Sequence, residues 1–567
     1  MARVVSRRGM LKALAAAVIV PASGVALAGC ATAQTAPQGG TGRALDFRPV
    51  APNTLDAVVV PEGYEHAVVI RWGDPIIPGA PEFDFGAQTP QAQAGQFGYN
   101  CDFVALLPVS NDRPDDRDRS LLVVNHEYTT ESFMFLSYDE AHPTREQVET
   151  AWAAHGLSVV LVARDPASGR LAPLQDPVNR RITATTPMEL TGPAAGNPLV
   201  QTAADPGGRL VLGTLNNCSG GVTPWGTVLS GEENLNMYFG NADSVTDANA
   251  KAKLARYGVT GGASMRQWER FDPRFDVSRE PHEPNRFGWI VELDPFDPGF
   301  VPRKRTAMGR FKHEAATVRV TQNGTVASYM GDDERFDYLY KFVSSRTMRQ
   351  GELAHNLGIL DEGTLYVARF TGDSPAEIDG SGKLPAGGEF GGTGQWIPLA
   401  RSNADGTGES FVAGMSVPDV LVHTRLAGDA VGATKMDRPE DVEPHPRTGK
   451  VYASLTNNNR RGVQAGAAAD GPNPRNANRH GHVLELTENG DDPAATMFTW
   501  TLLLVCGDPA DASTYFAGFP KDQVSPISCP DNLAFDPTGN LWIATDGNAL
   551  GSNDGLFAVP LDGPSRG

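Results

Sequence analysis

Three stretches of the chain share one short plan. Residues 318–329 (VRVTQNGTVASY), 442–454 (VEPHPRTGKVYAS) and 535–546 (FDPTGNLWIATD) each read as a strand, a tight turn and a second strand. Asn-Gly and Asp-Pro-Thr-Gly reach the turn conformations that other residues resist, so each stretch is expected to be a β-hairpin. The 62 Gly and 43 Pro, with few long apolar helical runs, extend the same expectation to many short strands elsewhere. Hairpins recurring along a chain pack either as a sandwich or as a ring of small sheets.

The residues flanking the hairpins favour the ring. One polar cluster precedes the first strand and another follows the second. The pairs are Cys218 with Glu232-Glu233, His313-Glu314 with Asp332-Asp333, Arg438-Pro439-Glu440-Asp441 with Asn457-Asn458, and Asp531-Asn532 with Asp546-Gly547-Asn548. The outer ends of a hairpin lie on the side away from its turn. If every hairpin is oriented alike, the clusters share one face and the innermost strands gather them round a channel. The expected fold is all-β, a β-propeller with helical and loop insertions between strands.

The remaining segments fit around that core. Residues 121–127 (LLVVNHE) read as a strand ending in a polar cluster, and 157–163 and Leu210–Leu212 as further strands. Helices are expected at Arg145–Ala154, in an excursion over 132–154, and at Ala248–Arg256, in an insertion over 243–279. Residues 372–394 read as a glycine-rich loop. Residues 1–29 read as an export signal, because Ser6-Arg7-Arg8-Gly9-Met10-Leu11-Lys12 has a twin-arginine pattern. The apolar run over 13–27 that follows is too short and Ala-rich to span a bilayer. Leu27-Ala28-Gly29-Cys30 resembles a lipobox, which would make Cys30 a lipid anchor at the membrane surface. Residues 30–43 would then be a flexible tether and 44–567 a single catalytic domain.

The formal charge is −19, and loss of residues 1–29 with Arg3, Arg7, Arg8 and Lys12 takes it to −23. Such a surface repels nucleic acid, so none is expected as a partner. It also repels phosphate esters unless arginine or a metal reverses the local field. Excess carboxylate is what hard cations such as Ca²⁺ require. The five cysteines, Cys30, Cys101, Cys218, Cys506 and Cys529, contain no CxxC pair, which argues against a zinc knuckle. One disulfide among Cys101, Cys506 and Cys529 is left open.

The residue types in the clusters suit a metal site. Carboxylates and amide oxygens bind Ca²⁺, and a single thiolate is a softer ligand for iron or another transition ion. Arg438 and Asn532 can donate to phosphate oxygens, arginine in its forked geometry. The stretches NNCSGGVTPWGTVLSGEEN, VVNHEYT, FKHEAATV, YMGDDERFDYLYKFV, RPEDVEPHPRTGKVYASLTNN and CPDNLAFDPTGNLWIATDGN together resemble the PhoX-type alkaline phosphatases. The resemblance implies a six-bladed propeller, twin-arginine export, and phosphomonoester hydrolysis at alkaline pH. It implies a centre of two ferric ions and three calcium ions joined by an oxo bridge. Carried over by motif, Cys218 would be the iron thiolate, and Glu314 and Glu440 metal-binding carboxylates. Glu232, Glu233, Asp531 and Asp546 would supply calcium ligands, and Arg438 and Asn532 would hold the phosphate. The implied chemistry is metal-assisted in-line attack on phosphorus, with a small phosphate ester as substrate and a monomeric enzyme.

Blander roles stand beside these. A lone cysteine is more often a buried small hydrophobe. His126 and His313, beside Glu127 and Glu314, read equally as ligands or as hydrogen-bonded structural residues. Arg438 has carboxylates within its own segment to pair with, and the Asp332-Asp333-Glu334 run could be solvated. Trp225 and Trp542 read as core residues, and His480-Gly481-His482 is assigned no metal. Two other functions use the same fold: a calcium-dependent phosphotriesterase or lactonase, which needs no cysteine ligand, and a non-enzymatic surface-binding propeller, which hydrolyses no p-nitrophenyl phosphate.

Overall fold

The computed structural model describes residues 45, 47–109, 118–372, 390–463, 468–547 and 549–561. The expected signal, Cys30 and the whole tether lie outside the described residues, as do 373–389 and Asn548.

The described chain forms four sheets. All strand pairings are antiparallel except that of Pro187–Thr191 with Arg303–Arg305. Five hairpins recur along it. They are Cys101–Pro108 with Arg119–His126, Asn217–Val222 with Val228–Glu232, Thr317–Val320 with Val326–Gly331, Pro439–Pro444 with Val451–Leu455, and Pro530–Phe535 with Leu541–Thr545. The first strand of each packs beside the first strand of the next. Asn532 Nδ2 in the fifth donates to Asp102 Oδ1 in the first at 3.1 Å, so the series closes on itself. Five hairpins of this kind occur among the described residues, one fewer than the six blades the resemblance implies.

Apolar faces between neighbouring sheets hold the ring together. Leu121, Val123, Val159 and Leu161 of the first sheet bury against Val228, Val291 and Leu293 of the second. Leu533, Ile543 and Leu541 of the last bury against Val483 and Leu503. Each such side chain contributes about 1.5–3 kcal/mol on removal from water. The turn at Asp536 is what its sequence implies: Oδ1 accepts from the Thr538 and Asn540 amides, and Gly539 takes φ +90°.

Both expected helices form, at Arg145–Ala154 and Ala248–Arg256. Thr144 and Gln147 close a capping box on the first, and Asp247 caps the second. The expected glycine loop over 372–394 needs correction at its ends. Gly363–Gly372 pairs with Gly391–Ser402, with Gly372 opposite Gly392. A Cβ on Gly392 would stand 2.0 Å from the Thr371 oxygen, and one on Gly394 would strike the Phe498 ring. These glycines permit close strand and ring approach inside a sheet, a role composition does not separate from a loop.

Candidate metal centre

All five hairpins open onto the cluster face through the same local device. At the open end two residues face each other: Cys101 and His126, Asn217 and Glu232, His313 and Asp332, Pro439 and Leu455, Pro530 and Thr545. The residues that follow them are Asp102 and Glu127, Cys218 and Glu233, Glu314 and Asp333, Glu440 and Thr456, Asp531 and Asp546. Register breaks just after the first partner in the four hairpins whose strands reach the open end, a bulge that re-aims the next side chain. The residue before the pair is also shared in conformation. Asn100, Asn216, Arg438 and Cys529 all take φ between +51° and +58°. Their carbonyls accept from the amides of Glu127, Glu233, Thr456 and Asp546, and the Lys312 carbonyl does the same for Asp333, at 2.9–3.1 Å.

Each hairpin also braces its successor. Asn125 Nδ2 donates to the Cys218 carbonyl, and Ser454 Oγ to the Asp531 carbonyl. Gly231 and Gly331 hold the equivalent places in the second and third hairpins. A Cβ there would lie 2.7 Å from the Glu314 oxygen and 2.1 Å from the Glu440 oxygen. Any side chain at either glycine would push the next ligand-bearing strand away.

The device brings eight residues to one place. Asp102, Cys218 and Glu314 form one group, Glu127, Cys218 and Glu233 a second, Glu233, Glu314 and Asp333 a third, and Glu314, Glu440 and Asp531 a fourth. Within each group the ligand atoms lie within 4.8 Å of one another. Cys218 Sγ is 3.2 Å from Glu314 Oε1 and 3.5 Å from Asp102 Oδ2. Glu314 belongs to three of the groups and Cys218 to two, so the arrangement suits several neighbouring cations rather than one.

Charge makes the same point. Two unit charges about 4.8 Å apart repel by about 3–4 kcal/mol at an effective dielectric near 20. Burial, followed by repulsion among the acids, pushes Cys218, Glu233, Glu314, Glu440 and Asp531 well above their ordinary ranges and Glu127 to about 8. Burial opposes ionisation of Asp333 too, yet Arg438 outweighs it and holds this carboxyl below its usual range. Arg438 Nη2 donates to Asp333 Oδ2 at 2.6 Å and stands 3.2 Å from Glu440 Oε1. Asp333 Oδ1 and Glu440 Oε1 remain buried without a hydrogen-bond partner, as does the Thr456 hydroxyl. Seven carboxylates and a thiol, two of their buried oxygens without a hydrogen bond, fit bound cations: oxygen donors for hard ions and one sulfur for a softer one.

Of the residues the sequence singled out, Cys218, Glu233, Glu314, Glu440 and Asp531 meet here, with Arg438 and Asn532 at the edge. Glu232 does not, and its expected ligand role is corrected. Neighbouring residues of a strand point to opposite sides, and Glu232 turns away. It is fully buried against Lys304 Nζ at 2.7 Å and also accepts from Thr214 Oγ1 and the Gly288 and Trp289 amides. Asp546 occupies the repeated position but is exposed and belongs to none of the four groups. The histidines are structural: His126 bonds Ser158 Oγ at 2.7 Å, and His313 stacks on Phe311 and meets the Gly309 carbonyl at 2.8 Å. Asp332 is paired with Arg425. Cys101, Cys218, Cys506 and Cys529 are free thiols. Asp102 was missed, although Asn100-Cys101-Asp102 before an apolar strand repeats Asn216-Asn217-Cys218.

The family described as alkaline phosphatase PhoX matches residues 45–565. The structure of Pseudomonas fluorescens PhoX in complex with vanadate, a transition state analogue, is 39% identical. The likeness covers 90% of this chain and 87% of that one, with a TM-score of 0.79. A Bacteroides fragilis structure described as a 6-phosphogluconolactonase is 11% identical over 81% of this chain and 84% of that one. Its TM-score of 0.23 is too low to carry an argument. No curated protein matches. With its acidic centre built from motifs that span the matched region, the chain belongs to the PhoX family of alkaline phosphatases, enzymes that hydrolyse phosphoric monoesters.

Proposed function

We propose that the acidic cluster holds ferric iron and calcium, with Cys218 on the iron side, and that Arg438 and Asn532 hold the substrate's phosphoryl group over it. The observation that carries this reading is the fivefold repeat. Ligand-type residues occupy equivalent positions at the open ends of five hairpins, after a bulge in four of them, an arrangement that core packing does not require. When bound, the cations would supply Lewis-acid charge and lower the pKa of water, which is what in-line hydrolysis at phosphorus needs. Glu314, shared by three groups, would be the carboxylate that neighbouring cations have in common. Arg438 is anchored by Asp333, which leaves the rest of its fork to meet phosphoryl oxygens as charge develops on them. Asn532 is oriented by Asp102 and offers its amide to the same group. The vanadate bound by the Pseudomonas fluorescens relative has the charge and shape such a site would be built to hold.

The five hairpins are, in this reading, the inner halves of propeller blades, with a sixth blade that carries no ligand. The protein is exported folded by the twin-arginine route, anchored through Cys30 and active as a monomer. Elemental analysis of enzyme purified after export, with p-nitrophenyl phosphate turnover measured on the same sample, tests the proposal. Iron, calcium and turnover falling together on chelation supports it, whereas full turnover by metal-free protein refutes it.

A further inference from the structure

A second pocket, of about 150 Å³, lies where the helix Ala248–Arg256 faces the helix pair Val417–Val422 and Thr424–Val431. None of the eight clustered residues lines it. His423, between the paired helices, forms part of its wall and is only 4% exposed. Neither of its ring nitrogens has a hydrogen-bond partner. An imidazole always offers a donor or two, and a buried donor left unmet is the exception in folded proteins.

The other polar walls are Lys253 and Arg310, with Asp247, Asn249, His282 and Asn285. Arg310 is buried, and its N–H groups meet the main-chain carbonyls of Phe287 at 2.8 Å, Pro284 at 2.8 Å and Val422 at 3.2 Å. Its guanidinium lies over the Tyr257 ring at 4.1 Å. Among the described residues no carboxylate makes an ion pair with Arg310 or with the half-buried Lys253. The two carboxylates nearby are already engaged. Asp247 accepts from the Ala250 amide as helix cap, and Asp419 accepts from the amide and hydroxyl of Ser416. Burial, then the charges of Arg310 and Lys253, push His423 down to about 3, so its imidazole is neutral and presents an N–H.

We propose that this pocket binds a small oxyanion of the phosphate class, held by the His423 N–H, by Lys253 and by the field of Arg310. The volume corresponds to about five waters, room for one tetrahedral oxyanion. The proposal is independent of the metal assignment, because the two sites share no residue.

Crystals of the metal-loaded enzyme soaked in selenate, with data at the selenium edge, test it. A peak beside His423 is expected, distinct from any peak at Arg438. Lys253→Ala, a change on a half-buried helix face, should weaken its occupancy about tenfold, and His423→Phe should abolish it. Turnover of p-nitrophenyl phosphate should change less than twofold in both variants. In solution, phosphate added to vanadate-saturated enzyme should raise the melting temperature of the native protein more than that of Lys253→Ala. No peak beside His423 would overturn the proposal. So would equal occupancy in the native protein and Lys253→Ala, the mark of an adventitious ion only.

Discussion

Replacing Arg438 by alanine separates binding of the phosphoryl group from binding of the metals. Arg438 is fixed at one end by Asp333, at 2.6 Å, and its guanidinium sits against Glu440 at 3.2 Å. If two of its N–H groups meet phosphoryl oxygens, each charge-assisted bond is worth about 1.5–3 kcal/mol. Losing both raises the barrier by about 3–6 kcal/mol, a fall in kcat/KM on the order of 10²–10⁴-fold. Arg438→Lys keeps the charge and loses the fork, so about half of that free energy should return. Removing a cation makes the cluster more negative, so metal content per molecule should not fall. Steady-state hydrolysis of p-nitrophenyl phosphate with metal analysis of the same samples measures both quantities. A kcat/KM within threefold of the native enzyme would refute the role given to Arg438. Loss of metal together with activity would show that Arg438 belongs to the metal centre instead.

Four further outcomes follow from the same geometry. Glu233→Gln should reduce metal content while the fold persists. Glu232→Gln should instead leave Lys304 buried without its charge partner and cost about 3–5 kcal/mol of stability by chemical denaturation, with metal content per folded molecule unchanged. The acids of the cluster other than Asp333 have folded-state pKa values above their ordinary ones, so in metal-free protein their stabilising contribution is present at low pH and lost as pH rises. For Glu127 that window runs from about 4.5 to about 8. The melting temperature of metal-free protein should therefore fall across it, and bound cations should remove the fall; a flat profile without metal would contradict the electrostatic picture. Cys218→Ser should abolish any visible thiolate-to-iron absorption and deplete iron more than calcium; unchanged colour would place the iron elsewhere.

Much of the site could be read from residue order, because its positions repeat. Cys218, Glu314, Glu440 and Asp531 each open a hairpin, and the turns Asn323-Gly324 and Asp536–Gly539 announce two of those hairpins by chemistry alone. What was not legible depended on register. Glu232 and Glu233 look alike in sequence, and only the pairing of Asn217 with Glu232 sends one to Lys304 and the other to the cluster. Asp102 and Glu127 come from a hairpin whose turn lies within a stretch with no glycine, so the strongest hairpin signal is missing there. The positive φ of Asn100, Asn216, Arg438 and Cys529 shares no single residue type. Only asparagine among them is a usual occupant of that conformation, so Arg438 and Cys529 gave no local warning. The glycines at 231, 331 and 392 serve close packing, which composition assigns to loops.

The central claim is that five hairpin ends assemble one multinuclear metal centre. Anomalous diffraction from exported, active enzyme, collected on both sides of the iron edge, tests it most directly. Peaks among Asp102, Cys218, Glu233, Glu314 and Glu440, with iron beside the Cys218 sulfur, are the predicted result. A fully active crystal with no anomalous scatterer inside this cluster would contradict it.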